Sequence, residues 1–284
     1  MYRQDSVSEP DESKPCLYFA LTFGWSWLLW IPAALLKEGE NALPATVLHY
    51  LGGIGPAVAA VALIHLAHNR ERQRDYWRRL IDVRRIGAVW HGVIFLTVPT
   101  LAGLAALGDI LLGGAGARLE ATTGLISRPM SILPLVVFTL VFGPLPEELG
   151  WRGYALDGLQ ASSSALTAGL MLGIAWSLWH LPLFFIPGTY QNGLGIGTLS
   201  FWLFLTGPIP ESVLMTWTYN NTQRSTLSAV LFHFMINLTG QLFELTRRAE
   251  LYQSLLWIAA AVAISAIWRA ETIRSSRGDQ ADGA

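Results

Sequence analysis

The chain has 284 residues, of which 52% are hydrophobic and only 14% charged. A soluble domain carries roughly 25% charged residues, so this composition, with its twelve tryptophans and mean hydropathy of +0.40, describes an integral membrane protein. A net charge of −1 gives no reason to expect a nucleic-acid partner, and a lone cysteine, Cys16, excludes an internal disulfide or a cysteine-built zinc site.

The first fifteen residues are polar and acidic, with Pro10 and Pro15, and read as a disordered tail. The apolar run after them, Cys16–Leu36, is too long for a signal-peptide core and lacks a basic segment before it, so it reads as a first span. A helix needs about 20 apolar residues to cross a bilayer. Seven further stretches qualify: Ala45–Ala67, Ala88–Leu112, Ser131–Leu149, Leu166–Ile186, Thr198–Tyr219, Thr226–Phe243 and Leu251–Trp268. The fourth stretch is short if it stops before Glu147-Glu148; the sixth is interrupted by Gly207-Pro208-Ile209-Pro210. A proline break frees backbone groups that are tolerable only away from lipid.

The expected fold is therefore all-α, a polytopic membrane protein of about eight transmembrane helices in one bundle. It forms one domain over residues 16–270, followed by a polar tail, 271–284. Gly52-Gly53-Ile54-Gly55 and Gly193–Gly197 offer small-residue faces that can pack helices within one chain or between two copies, so no oligomeric state follows.

Orientation follows from the basic residues. Between the second and third spans lie seven arginines, at positions 70, 72, 74, 78, 79, 84 and 85. With that loop in the cytoplasm, both termini are cytoplasmic, and fourteen of the nineteen basic residues lie inside. The same assignment puts the Glu147-Glu148 end of the fourth span on the cytoplasmic side. Tyr76, Trp77, Leu80 and Ile81 make the arginine-rich stretch an amphipathic interfacial helix; a surface for lipid headgroups or peptide is the alternative. Asp109 and Glu244 sit near span ends and read as interfacial. Seventeen arginines against two lysines hint at a bacterial source, and so at a bacterial cytoplasmic membrane.

Three polar clusters interrupt otherwise apolar helices: Glu147-Glu148 with Arg152, then His180, then His233 with Asn237. Ionisable groups at membrane depth are expensive and default to functional roles with a named partner. Glu148 and Arg152 are spaced i,i+4 and share a helix face, whereas Glu147 points to another sector. One carboxylate is thus neutralised and one is left for chemistry. His233 and Asn237 also share a face. A carboxylate can serve as base towards water and a histidine beside it can shuttle the proton. A second histidine and an amide N–H can stabilise an oxyanion on a tetrahedral carbon. Hydrolysis of an amide bond is the reaction this set suits. Glu211, after the proline break, is a further acid near the core, either supporting the site or capping the broken helix.

Glu-Glu-x-x-x-Arg-Gly (Glu147 to Gly153), an aromatic-x-x-x-His motif (Trp176 and His180) and His-x-x-x-Asn (His233 and Asn237) follow one another in that order. Over about 133–240 the chain thus resembles the CAAX protease and bacteriocin-processing family of intramembrane glutamic endopeptidases. Tryptophan stands at 176 where that family often has phenylalanine. The resemblance implies that Glu147 and His180 activate a water, that His233 and Asn237 form the oxyanion site, and that Glu148 and Arg152 hold the helix end. It implies a peptide or lipid-modified protein substrate beside membrane lipids, with no cofactor and no metal.

The residues leave alternatives. His180, His233 and a glutamate could bind zinc with a water, although the His-Glu-x-x-His helix motif is absent. A non-catalytic immunity or regulatory protein could keep the cluster for folding. A transporter is the weakest reading, because no matching broken helices recur in two halves.

Overall fold

The computed structural model describes residues 14–36 and 42–268. The expected tails fall almost wholly outside them.

Apart from one short strand pair, the described residues form helices and their connections. In chain order the helices are α1 (Pro15–Leu35), α2 (Ala42–Gly53), α3 (Gly55–Leu66), α4 (Arg70–Ile81), α5 (Ala88–Leu111) and α6 (Glu120–Ser127). They continue with α7 (Ile132–Val141), α8 (Pro144–Gly150), a π-helical turn (Trp151–Ala155), α9 (Leu156–Gln160), α10 (Ala165–Trp179) and α11 (Tyr190–Leu194). The last are α12 (Leu199–Thr206), α13 (Pro208–Asn221), α14 (Thr226–Leu242) and α15 (Arg247–Ile267). β1 (Ala117–Arg118) pairs antiparallel with β2 (Glu244–Leu245).

Helices occupy all eight expected stretches, but fewer meet the length and apolarity of a span. Five do so: Pro15–Leu35, Ala88–Leu111, Pro129–Gln160, Ala165–Phe185 and Arg247–Ile267. Leu43–Gly53 with Gly55–Leu66, bent by 43°, makes a sixth if counted as one broken span. The Gly207-Pro208 break divides the expected sixth span into α12 and α13. α14, at 17 residues, falls short of the usual length.

The fourth stretch departs most from expectation. It does not stop at its glutamates; it continues through the π-turn and α9 as a 32-residue segment, Pro129–Gln160. From Glu147 to Gln160 is about 20 Å of further helix at 1.5 Å per residue. The glutamates therefore lie in mid-segment rather than at its end. Residues up to Leu135 are largely exposed, whereas most of 144–159 is buried. Local signals explain the boundaries. Pro144 and Pro208 open α8 and α13, where a missing N–H costs nothing. The side chains of Ser164, Thr198, Ser225 and Thr246 cap α10, α12, α14 and α15.

Glycines set the close crossings. A Cβ on Gly52 would lie 2.2 Å from Trp30 Nε1, and one on Gly55 2.2 Å from Ser26 Oγ, so this glycine cluster packs α2 and α3 on α1 of the same chain. Gly193–Gly197 does not pack helices: Gly195 and Gly197 adopt positive φ in a loop. At Gly173 an added Cβ would come 2.7 Å from Ile209 Cα, so α10 and α13 approach backbone to backbone. Asp109 is not interfacial in the sense of facing water. It is buried, pairs with Arg248, and accepts from Thr246 Oγ1 at 2.9 Å and Gly116 N at 2.8 Å.

Candidate active site

The site begins where α7 gives way to α8. The Gly143 hinge turns the chain so that α8 starts against α14. A Cβ at Gly143 would lie 3.0 Å from Asn237 Nδ2. One turn on, Glu147 and Glu148 are both buried, and they diverge as the 100° step predicts.

Glu148 accepts from Arg152 Nη1 through both oxygens, at 2.9 and 3.0 Å, and Arg152 Nη2 donates to Ser212 Oγ at 3.0 Å. His233 Nδ1 lies 2.9 Å from Glu148 Oε1. A carboxylate oxygen already taking a guanidinium proton is an acceptor, so Nδ1 donates and Nε2 is the nitrogen left for a ligand. Glu148, Arg152 and His233 thus form one buried, charge-assisted network across α8, the π-turn, α13 and α14.

Glu147 belongs to a different set. Its Oε2 accepts the indole N–H of Trp176 at 2.7 Å, and among the described residues no arginine or lysine pairs with it. The Trp176 carbonyl takes His180 Nδ1 at 2.8 Å. A carbonyl only accepts, so Nδ1 carries the proton and Nε2 of the neutral ring presents a lone pair. The Trp176 ring meets the His233 ring edge-on at 4.8 Å, and Arg152 lies over it at 5.3 Å. One side chain therefore touches members of all three motifs. Behind His180 stands an aromatic wall. Trp179 packs on Trp30 at 4.6 Å and on Trp151 at 5.7 Å, and its indole donates to Ser26 Oγ at 2.8 Å.

A family model, the type II CAAX prenyl endopeptidase Rce1-like family, matches residues 129–239. The CAAX prenyl protease 2 of Methanococcus maripaludis is 32% identical over 252 residues, covering 87% of this chain and 92% of that protein. The chain belongs to this endopeptidase family.

Membership makes it a membrane protease of this type, and the matched stretch contains all three motifs. The six residues singled out from the sequence, Glu147, Glu148, Arg152, His180, His233 and Asn237, gather around Trp176 and Gly143. Among the described residues the Asn237 amide has no hydrogen-bond partner and is half-buried. Glu211 does not cap α13, whose N-terminus has no side-chain cap. It is half-buried in the first turn, within electrostatic reach of His233 and Arg152. Sequence reasoning quoted Trp176 only as a motif position and missed its contacts. It missed Ser212 altogether; the signal available was a hydroxyl one residue after Glu211 in an apolar stretch, which is weak. Among the described residues no group of three His, Cys, Asp or Glu side chains is arranged to hold a metal ion.

Proposed function

We propose that the protein is an intramembrane endopeptidase in which Glu147 and His180 activate a water against a peptide carbonyl. The water oxygen bonds to the carbonyl carbon while its proton passes to Glu147 or to Nε2 of His180. The carbonyl oxygen becomes an oxyanion, stabilised by the Asn237 amide and, with Nδ1–H held by Glu148, by Nε2–H of His233 in its doubly protonated form. Collapse of the tetrahedral carbon breaks the C–N bond, and the held proton goes to the leaving amine. Glu148 and Arg152 take no proton; they fix His233 and the helix end.

The observation that carries this reading is the convergence on Trp176, whose indole N–H, carbonyl and ring meet Glu147, His180 and His233 within one side chain's reach. The substrate class proposed is a lipid-modified protein cleaved near its prenylated C-terminus, by analogy with the relative's name. The proposed setting is a cytoplasmic membrane, with both termini and the arginine-rich α4 inside by the charge rule. The proposed domain is a single one over 16–270, with the motifs in 133–240.

The test is cleavage of prenylated and plain fluorogenic peptides by detergent-purified protein, for wild type and Glu147→Gln, with and without a zinc chelator. Cleavage that survives the chelator and falls by about 10²–10⁴ in the variant supports the glutamate–water mechanism. Cleavage lost to the chelator and restored by zinc overturns it. Equal cleavage by both proteins removes Glu147 from the chemistry.

A further inference from the structure

The outward face of α4 carries Arg70, Arg74 and Arg78 at four-residue spacing, with Trp77 and Ile81 in the same sector, all exposed. Among the described residues no carboxylate pairs with these three arginines, whereas Arg79, Arg84 and Arg85 each have an aspartate. The inward face is buried through Tyr76 and Arg79. α4 starts four residues after Leu66 ends the bent pair and leads into α5 at Ala88, so it connects two apolar membrane segments. Guanidiniums bind phosphates through paired N–H donors. Tryptophan and isoleucine on the same face suit the boundary between headgroups and acyl chains.

The inward face meets the helix that carries the glutamates. Tyr76 Oη donates to the Leu149 carbonyl at 3.0 Å, and Arg79 Nη2 to the Gly153 carbonyl at 3.4 Å. A Cβ on Gly153 would lie 3.2 Å from the Tyr76 ring, so the turn is seated directly on α4. Those carbonyls flank and belong to the π-turn Trp151–Ala155, where the regular helical ladder is broken. The same turn contains Arg152.

We infer that α4 is a docking surface for the anionic phospholipid headgroups of the bilayer the chain spans, and that headgroup binding steadies the π-turn and, through it, Glu147 and Glu148. The second half of this inference rests on the peptidase reading; the first does not. Headgroup charge neutralises the arginine cluster and favours the docked position of α4, from which Tyr76 and Arg79 hold the turn. An acidic peptide segment is the competing occupant. The bilayer is preferred because the arginines alternate with Trp77 and Ile81, side chains that a soluble acidic peptide would leave wet.

The full chain is reconstituted in nanodiscs of phosphatidylcholine alone or with phosphatidylglycerol added. Hydrogen exchange over 70–81 and 149–155 is followed alongside peptidase rate. For wild type, phosphatidylglycerol slows exchange in both segments and raises the rate by about fivefold or more, the lower end of ordinary site coupling. In R70Q/R74Q/R78Q the exchange and the rate respond equally to both bilayers; the loss of headgroup preference is roughly fivefold for each arginine removed. In Tyr76→Phe, phosphatidylglycerol still protects 70–81, but its effect on 149–155 and on rate shrinks. Identical exchange of wild-type α4 in the two bilayers overturns the proposal. So does protection that follows an added acidic peptide instead of phosphatidylglycerol. Protection by phosphatidylglycerol with no cleavage in either bilayer upholds headgroup docking and counts against the peptidase reading alone.

Discussion

Two buried ionic clusters lie along the same helical segment, Pro129–Gln160, and they are built to opposite ends. At its far end Asp157 is loaded from every side. Arg79 Nη1 donates to it at 2.6 Å, Tyr219 Oη at 3.0 Å, Arg224 Nε at 3.0 Å, and Arg224 Nη2 also pairs with it. No imidazole takes part. About two and a half turns back along the segment, Glu148 is similarly loaded by Arg152 and His233, but its neighbour Glu147 takes one indole donor and no guanidinium. The rings of His180 and His233 both lie against Trp176, the indole that Glu147 accepts, and each has Nδ1 committed. A carboxylate saturated by cations is a fastener, while one held by a neutral donor keeps a basic lone pair. The residue types in the two clusters overlap; the saturation of the carboxylate separates them.

The contrast can be broken by substitution. The largest effect is expected at Glu147→Gln, an isosteric change that removes the proposed base. The peptidase rate should fall by about 10²–10⁴ with the unfolding temperature unchanged, and a fall in both would put Glu147 among the fasteners. Next, Arg152→Met leaves Glu148 buried beside a histidine alone. Removing one partner of a buried pair costs about 3–5 kcal/mol, so thermal unfolding in detergent should show a lowered midpoint and poor yield. A stable Arg152→Met protein would show that the pair holds little.

Smaller effects sharpen the comparison. Trp176→Phe keeps an aromatic ring and deletes the N–H that Glu147 accepts. The expected result is a kcat lower by about tenfold, the worth of a charge-assisted hydrogen bond, with KM held. A raised KM at constant kcat would mean that Trp176 shapes the substrate groove instead. The smallest change is expected from Tyr219→Phe in the far cluster, where Asp157 keeps both arginines. It should lower stability by about 1 kcal/mol and leave kcat per folded molecule intact.

Much of the site was legible because its spacings are local. The i,i+4 rule alone separated Glu148 from Glu147 and paired it with Arg152, and the contacts follow that division. The ligands of the network that come from other helices were not legible. Ser212 reaches Arg152 from α13, sixty residues further along the chain, and no spacing within α13 announces that. The role of Trp176 was hidden for a related reason: tryptophans are plentiful in this chain, and only the fold shows which one has its N–H on a carboxylate. All eight expected stretches hold helices, but five, or six with the bent pair, have the length and apolarity of a span, because hydropathy alone does not register the breaks at Ile54 and Gly207. Averaged apolarity read Glu147-Glu148 as an end, whereas the buried partners on α10, α13 and α14 allow the helix to run on past them. The partner of Asp109, Arg248, was not legible either, because it lies far along the chain.

That long segment also sets a timetable for synthesis. Ribosomes add about 5–20 residues per second. Trp176 follows Glu147 by 29 positions, Ser212 follows Arg152 by 60, and His233 follows Glu148 by 85. Several seconds therefore pass between the insertion of the acidic helix and the arrival of its last partner. Of the two charged partners of Glu148, Arg152, four residues away on the same helix, is the one already made during that interval. The local pair that later serves as a fastener is thus also the charge neutraliser that lets a nascent helix wait in the membrane until the rest of its bundle has been made.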